Sequence, residues 1–109
     1  MLSFVKLRNI FLVMSLFLHS IVFSYTDCQY VSVKNLQAQH HNILIRVTNS
    51  NGNSFWKVLA PYDAKFTSSF QAIAQQALAN KASVILRFEP DNYDCSKNDY
   101  GTVPLVIRL

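Results

Sequence analysis

TSSFQAIAQQALAN, residues Thr67 to Asn80, is the stretch on which the reading of the fold turns. Phe70, Ile73, Ala74, Ala77 and Leu78 recur at i, i+3, i+4, i+7 and i+8, which draws one apolar stripe along an α-helix of nearly four turns. Ser68 followed by Gln71 has the spacing of a capping box and marks where the helix starts. The opposite face is unusual. Ser68, Ala72, Gln75 and Ala79 recur at i, i+4, i+7 and i+11, and no charged residue interrupts the stretch. A solvated helix face ordinarily carries Lys and Glu. A row of small, neutral side chains permits close backbone approach, so this face reads either as a polar exposed surface or as one that packs against another protein surface.

Outward from the helix, the chain reads as short strands. Gln29 to Leu36 (QYVSVKNL) alternates, with Tyr30 and Val31 near its start and Val33 following at a period of two, and is expected to form the first strand, anchored by Cys28. A polar link from Gln37 to Asn42 leads to Ile43–Thr48 (ILIRVT), β-branched and apolar, as the second. Asn51-Gly52 within Asn49–Asn53 is a hairpin signal, since both residues tolerate positive φ, and Phe55–Ala60 (FWKVLA) returns as the third strand. Pro61-Tyr62-Asp63 breaks this strand before the helix. Ser83–Glu89 is the fourth strand, Pro90–Gly101 a polar surface loop, and Val103–Leu109 the fifth strand, with Pro104 confined to its start or to an edge. The order β-β-β-α-β-β, mainly β with one helix, predicts a five-stranded OB-fold, a small Greek-key barrel.

The first 24 residues read differently. Lys6 and Arg8 precede an apolar run from Ile10 to Phe23, and Val22-Phe23-Ser24 offers small residues where a signal peptidase cuts. Residues 1–24 are therefore expected to be a secretory leader, and 25–109 a single binding domain, secreted by way of a periplasm. The leader holds two of the ten basic residues and none of the six acidic ones, so eight basic and six acidic residues remain, a net charge of +2. That balance, without a basic cluster interleaved with aromatics, argues against a nucleic-acid partner. No apolar run is long enough for stable membrane insertion. The 85 residues left bury a modest core, and a covalent staple would strengthen it. Cys28 and Cys95 are the only cysteines, and in an oxidising compartment they are expected to pair.

Strand order, leader, size and the stretches Ile45-Arg46-Val47 running into Asn51-Gly52 and Phe70–Ala77 followed by Ser83–Phe88 together resemble the binding subunits of bacterial AB5 toxins. The similarity is to the subtilase-cytotoxin, typhoid-toxin and pertussis-like branch. The resemblance implies a secreted, non-catalytic B subunit in a ring of five, of one chain or several, that binds host glycans, sialylated ones included, and delivers an enzymatic A subunit. The helices of such rings line the pore. Members of that branch hold sialic acid through a serine in a Tyr-Ser-Asp context near the mature N-terminus. Tyr25-Thr26-Asp27 stands in the matching place, with Thr26 keeping the hydroxyl and adding a methyl group. The family's cysteines in the second and third strands are absent, those strands carrying Leu44 and Val58, while a Cys28–Cys95 bridge is closer to the cholera-toxin arrangement.

Glycan contact is accordingly expected at Thr26, Asp27 and Asn51, with oligomer or pore contact at Ser68, Ala72, Gln75 and Ala79. Trp56 is either a sugar platform or a core or interface residue. His40 and His41, adjacent on an extended link, would point apart and share no metal. Asp91, Asp94 and Asp99 lack the spacing of a calcium loop. No nucleophile–base arrangement, carboxylate pair or phosphate-cradling loop is legible, so neither catalysis nor a cofactor is expected. The alternative function is a monomeric periplasmic OB-fold module with a structural or stress-related role.

Overall fold

The computed structural model describes residues 24–109; the expected leader, apart from Ser24, lies outside the described residues. Six strands and one helix follow in the order β1 (Thr26–Tyr30), β2 (Ser32–Ala38), β3 (Asn42–Thr48), β4 (Ser54–Pro61), α1 (Thr67–Asn80), β5 (Val84–Phe88) and β6 (Val106–Arg108). They form two three-stranded sheets, β1-β5-β6 and β2-β3-β4, with every pairing antiparallel.

The expected five-stranded closed barrel is corrected on two points. The single first strand is two, because its halves serve different sheets: β1 pairs with β5 and β2 with β3. The chain turns at Val31, whose N–H donates to the Thr48 carbonyl (2.9 Å) and keeps the halves in register. A bulge between Val33 and Asn35 coils β2 further. The barrel also stays open, because β4 and β6 do not pair. β6 is three residues long, its approach passes through Pro104, which has no N–H to offer, and Leu105 spends its own on the Arg87 carbonyl (2.7 Å). The β4 edge is met instead by the β5–β6 loop. Trp56 donates its N–H to Asn98 Oδ1 and accepts from the Asp99 N–H, both at 2.9 Å.

Alternation along the strands builds the core between the sheets. Cys28 and Tyr30 from β1, Val33 from β2, Ile43, Ile45 and Val47 from β3, Leu59 from β4, Val84, Leu86 and Phe88 from β5 and Ile107 from β6 are all buried. The helix closes this core through Ala74 and Ala77, both fully buried, flanked by partly buried Phe70 and Ile73. Leu78 does not join them. It lies roughly 100° round the helix from Ala77 and is 37% exposed.

The helix start also departs from expectation. Phe66 is the N-cap and makes no side-chain cap, and the Ser68–Gln71 box does not form. The Thr67 hydroxyl donates to the Pro61 carbonyl instead, tying the first turn to the end of β4. The Cys28–Cys95 bridge is present, Cα atoms 5.4 Å apart, and fastens the β5–β6 loop to β1. In the chain-entropy picture, closing 67 residues contributes roughly 4 kcal/mol.

The β3–β4 hairpin uses only one positive φ, at Gly52 (86°). Asn49 organises the rest: its Oδ1 accepts from the N–H groups of Asn51 and Asn53, and its carbonyl from Gly52. A Cβ at Gly52 would meet nothing within 4 Å, so the cost of Gly52→Ala is backbone strain alone. We expect it to lower stability by about 1–2 kcal/mol in urea denaturation, with the slope unchanged. An unaltered midpoint would show that the turn relaxes out of the left-handed region.

Candidate functional site

The residues around the start of β1 form the first candidate. The β1–β5 register sets Asp27 opposite Arg87, and the guanidinium meets the carboxylate as a fork, Nε to Oδ1 at 2.8 Å and Nη2 to Oδ2 at 3.2 Å. Arg108 of β6 adds a longer contact of 3.6 Å to Oδ2. The Arg87 hydrogen bond holds the Asp27 carboxyl below its usual range, and the same bond raises Arg87. Tyr25 stacks on this pair, its ring centre 3.8 Å from the Arg87 guanidinium carbon, and remains 47% exposed. The Thr26 hydroxyl donates to the Pro90 carbonyl (2.8 Å) and accepts from the Tyr93 N–H (3.3 Å). Thr26 and Asp27 thus lie side by side with their polar atoms engaged by their own chain. Asn51 is not with them. It sits exposed at the β3–β4 turn, next to Ser50, which borders a cleft of about 280 Å³ at the Tyr30 end of β1.

A second constellation was not legible as a site. Lys57 of β4 lies opposite Ile45, faces the core and has 0% of its surface exposed. Its Nζ donates to the Tyr93 hydroxyl (2.9 Å) and the Asp94 carbonyl (3.1 Å) and stands 4.5 Å from the Tyr93 ring centre. The Tyr93 hydroxyl donates in turn to Asp99 Oδ2 (2.8 Å), and its ring stacks on Phe88 with ring centres 3.8 Å apart. Tyr30 donates to the Cys95 carbonyl (2.7 Å) beside the disulfide. Burial pushes the Lys57 ammonium down, against the opposing pull of Asp99 and Asp94. Burial likewise pushes the Tyr30 and Tyr93 phenols up. For Asp99 partial burial acts upward, but the Gly101 N–H, the Tyr93 hydroxyl and Thr102 outweigh it and bring the carboxyl to about 2. Every strong donor here has an acceptor within the chain. The network's work is to hold the β5–β6 loop, whose outer surface at Tyr93, Asp94, Lys97 and Tyr100 borders a shallow hollow of about 380 Å³. The one available signal was the alternation of Phe55, Lys57 and Leu59, which sets the lysine on the apolar face.

On the helix, Ser68, Ala72, Gln75 and Ala79 are all exposed. Neither the first turn nor the last carries a charge that would complement the helix dipole. Trp56 is partly buried, with the Arg46 guanidinium carbon 5.7 Å from its ring centre. The link at His40 and His41 is bent where an extended one was expected, so the rings meet edge to face, centres 4.6 Å apart. Among the described residues no group of three or more His, Cys, Asp or Glu is placed to hold a metal ion, and no helix is long and apolar enough to cross a membrane.

Two predictions rest on the Lys57 network. Tyr93→Phe removes one acceptor from a buried ammonium and one donor from Asp99, and is expected to cost about 1–3 kcal/mol. Lys57→Met, which removes the charge and keeps the stem, is expected to stay within about 1 kcal/mol of wild type. Urea denaturation of both reverses this ranking if Lys57 is not the buried charge that the loop serves. The second concerns acid. Asp99 has a lowered pKa in the folded chain, so its stabilising contribution is complete above the unfolded value near 4 and is lost as pH falls toward about 2. Asp99→Asn is expected to be less stable than wild type at neutral pH and to lose less on acidification, as followed by thermal melts across that range.

Compared with known protein families, curated proteins and solved structures, the chain matches none.

Proposed function

We propose that this chain is a secreted, non-catalytic binding subunit of the AB5-toxin type, an OB-type domain that assembles in a ring of five, binds host glycans and carries a separate enzymatic subunit. The observation that carries the reading is the helix surface. Four exposed positions in register, Ser68, Ala72, Gln75 and Ala79, are small or neutral, and the whole 14-residue helix lacks a charge. An isolated domain gains solubility from charge on such a face; a helix that meets neighbours around a pore gains from its absence. The strand path supports an OB-type origin. β1 and β2 act as one bent strand shared between two sheets, and the β5–β6 loop crosses the seam that a closed barrel would seal by pairing. The buried disulfide suits an oxidising, extracytoplasmic setting.

Under this reading Tyr25 is the sugar platform, held face-out by Arg87, while Thr26 and Asp27 act chiefly by fixing that geometry. Asn51 belongs to a different surface and serves as a turn residue.

Light scattering during gel filtration of the oxidised domain is expected to give a mass near five protomers. Ala72→Glu, with the fold intact by circular dichroism, is expected to shift the population to monomer, since it sets five like charges around one ring. A wild-type protein that stays monomeric at all concentrations would leave the monomeric periplasmic module as the function. An assembled ring that ignores every sugar on a glycan array would remove the glycan assignment while keeping the ring.

A further inference from the structure

Arg46 is the one arginine among the described residues without a carboxylate. Arg87 and Arg108 share Asp27, whereas Arg46 has no ion pair, and its Nε is enclosed with no hydrogen-bond partner. The β-ladders place it in a cross-sheet row, Asn35–Arg46–Trp56, on the face of β2-β3-β4 turned away from the core. None of β2, β3 and β4 contains an Asp or Glu, so the face offers the guanidinium nothing of opposite charge. A part-buried guanidinium held over an indole has the composition of a protein-contact centre.

The complement lies elsewhere on the same chain. Asp63, between β4 and α1, is exposed and makes no ion pair among the described residues. It is flanked by Tyr62 (49% exposed) and Phe66 (38% exposed), so it presents a carboxylate framed by aromatic surface. It cannot reach Arg46 within one protomer. Arg46 pairs with Trp56, and the five steps from Trp56 to Pro61 alone carry the strand about 17 Å away. Past the exposed Lys65, the Asp63 patch leads toward the uncharged helix face, which begins at Ser68.

We infer that Asp63 of one copy docks on the Arg46–Trp56 face of the next, a heterologous contact between copies of this chain. Two different patches meet in such a contact, so it propagates head to tail and closes as a ring when the rotation permits. It rests on the ring proposed above and names the ion pair that sets its register. Tyr62 and Phe66 would cover Trp56 and dry the pair, and the partner carboxylate would meet the guanidinium at its Nη groups, the part not enclosed with Nε.

The experiment is a charge swap in the otherwise native domain. Arg46→Glu and Asp63→Arg are each expected to raise the concentration for half-dissociation at least about thirtyfold, and the double variant to recover most of that loss. Sedimentation reads the assembly, and the fluorescence of the sole tryptophan, Trp56, reads the contact directly, blue-shifting on assembly in wild type and in the double variant only. Rings that persist in both single variants yet fall apart with Ala72→Glu overturn the inference and leave the ring in place. Recovery of Arg46→Glu by Glu89→Arg instead of Asp63→Arg also overturns it, by assigning the carboxylate elsewhere. A wild type without any assembly removes both.

Discussion

Lys57 carries a charge into the core, and the loop between β5 and β6 exists in its observed form because that charge must be met there. The lysine is on β4, its acceptors Tyr93 and Asp94 are on the loop, and Asp99 completes the relay from the loop's far side. An ammonium deprived of these partners would be worth several kcal/mol against folding, which makes the loop's path a condition of the fold instead of an appendage to it. The disulfide and the Tyr30 hydroxyl grip the same segment at Cys95, from the opposite sheet. Covalent, charge-assisted hydrogen-bond and aromatic contacts therefore meet within three residues, Tyr93 to Cys95.

The consequence for architecture is that the two sheets are joined on one side by backbone and on the other by side chains. On the first side, β1 and β2 follow one another directly through the bend at Val31. On the second, where a closed barrel would pair β4 with the last strand, the loop supplies two hydrogen bonds to Trp56 and the buried Lys57 network behind them. A seam made this way tolerates a short β6 and a proline beside it, neither of which would suit a continuous ladder. It also leaves the faces of the molecule unequal. The β1 edge is rich in satisfied polar groups, whereas the helix face is uncharged and the outward face of β2-β3-β4 carries an arginine without an anion.

The positions named for glycan contact illustrate how local patterns and tertiary placement diverge. Thr26 and Asp27 were identified by their sequence context, and both are near the surface. Their polar atoms, however, are directed at Pro90, Tyr93 and Arg87, residues more than fifty positions away that no local reading could bring alongside. Asn51 was named for its amide, and its own backbone N–H serves the Asn49 side chain in a turn. The same long-range pairing exposes Tyr25, because the guanidinium beneath it is fixed by Asp27.

What the sequence determined by itself was whatever depends on period and composition. The helix from Thr67 to Asn80, the strands around Ile43–Thr48, Phe55–Ala60 and Ser83–Glu89, the hairpin at Gly52 and the Cys28–Cys95 bridge all follow from apolar spacing, turn chemistry and a count of two cysteines. Tertiary structure decided what depends on partners. Whether Gln29–Leu36 is one strand or two turns on which strands each half meets: Tyr30 faces the core from β1, the inward phase shifts at Val31, and Val33 faces the core from β2. Whether the barrel closes depends on a competition for the β4 edge, and Asn98 and Asp99 occupy it at Trp56. Lys57, an ordinary lysine in FWKVLA, becomes a buried charge only because the chain 36 residues later brings a phenol to it. Periodicity is a property of neighbours in sequence, and the energy of a buried charge or an open edge is a property of neighbours in space.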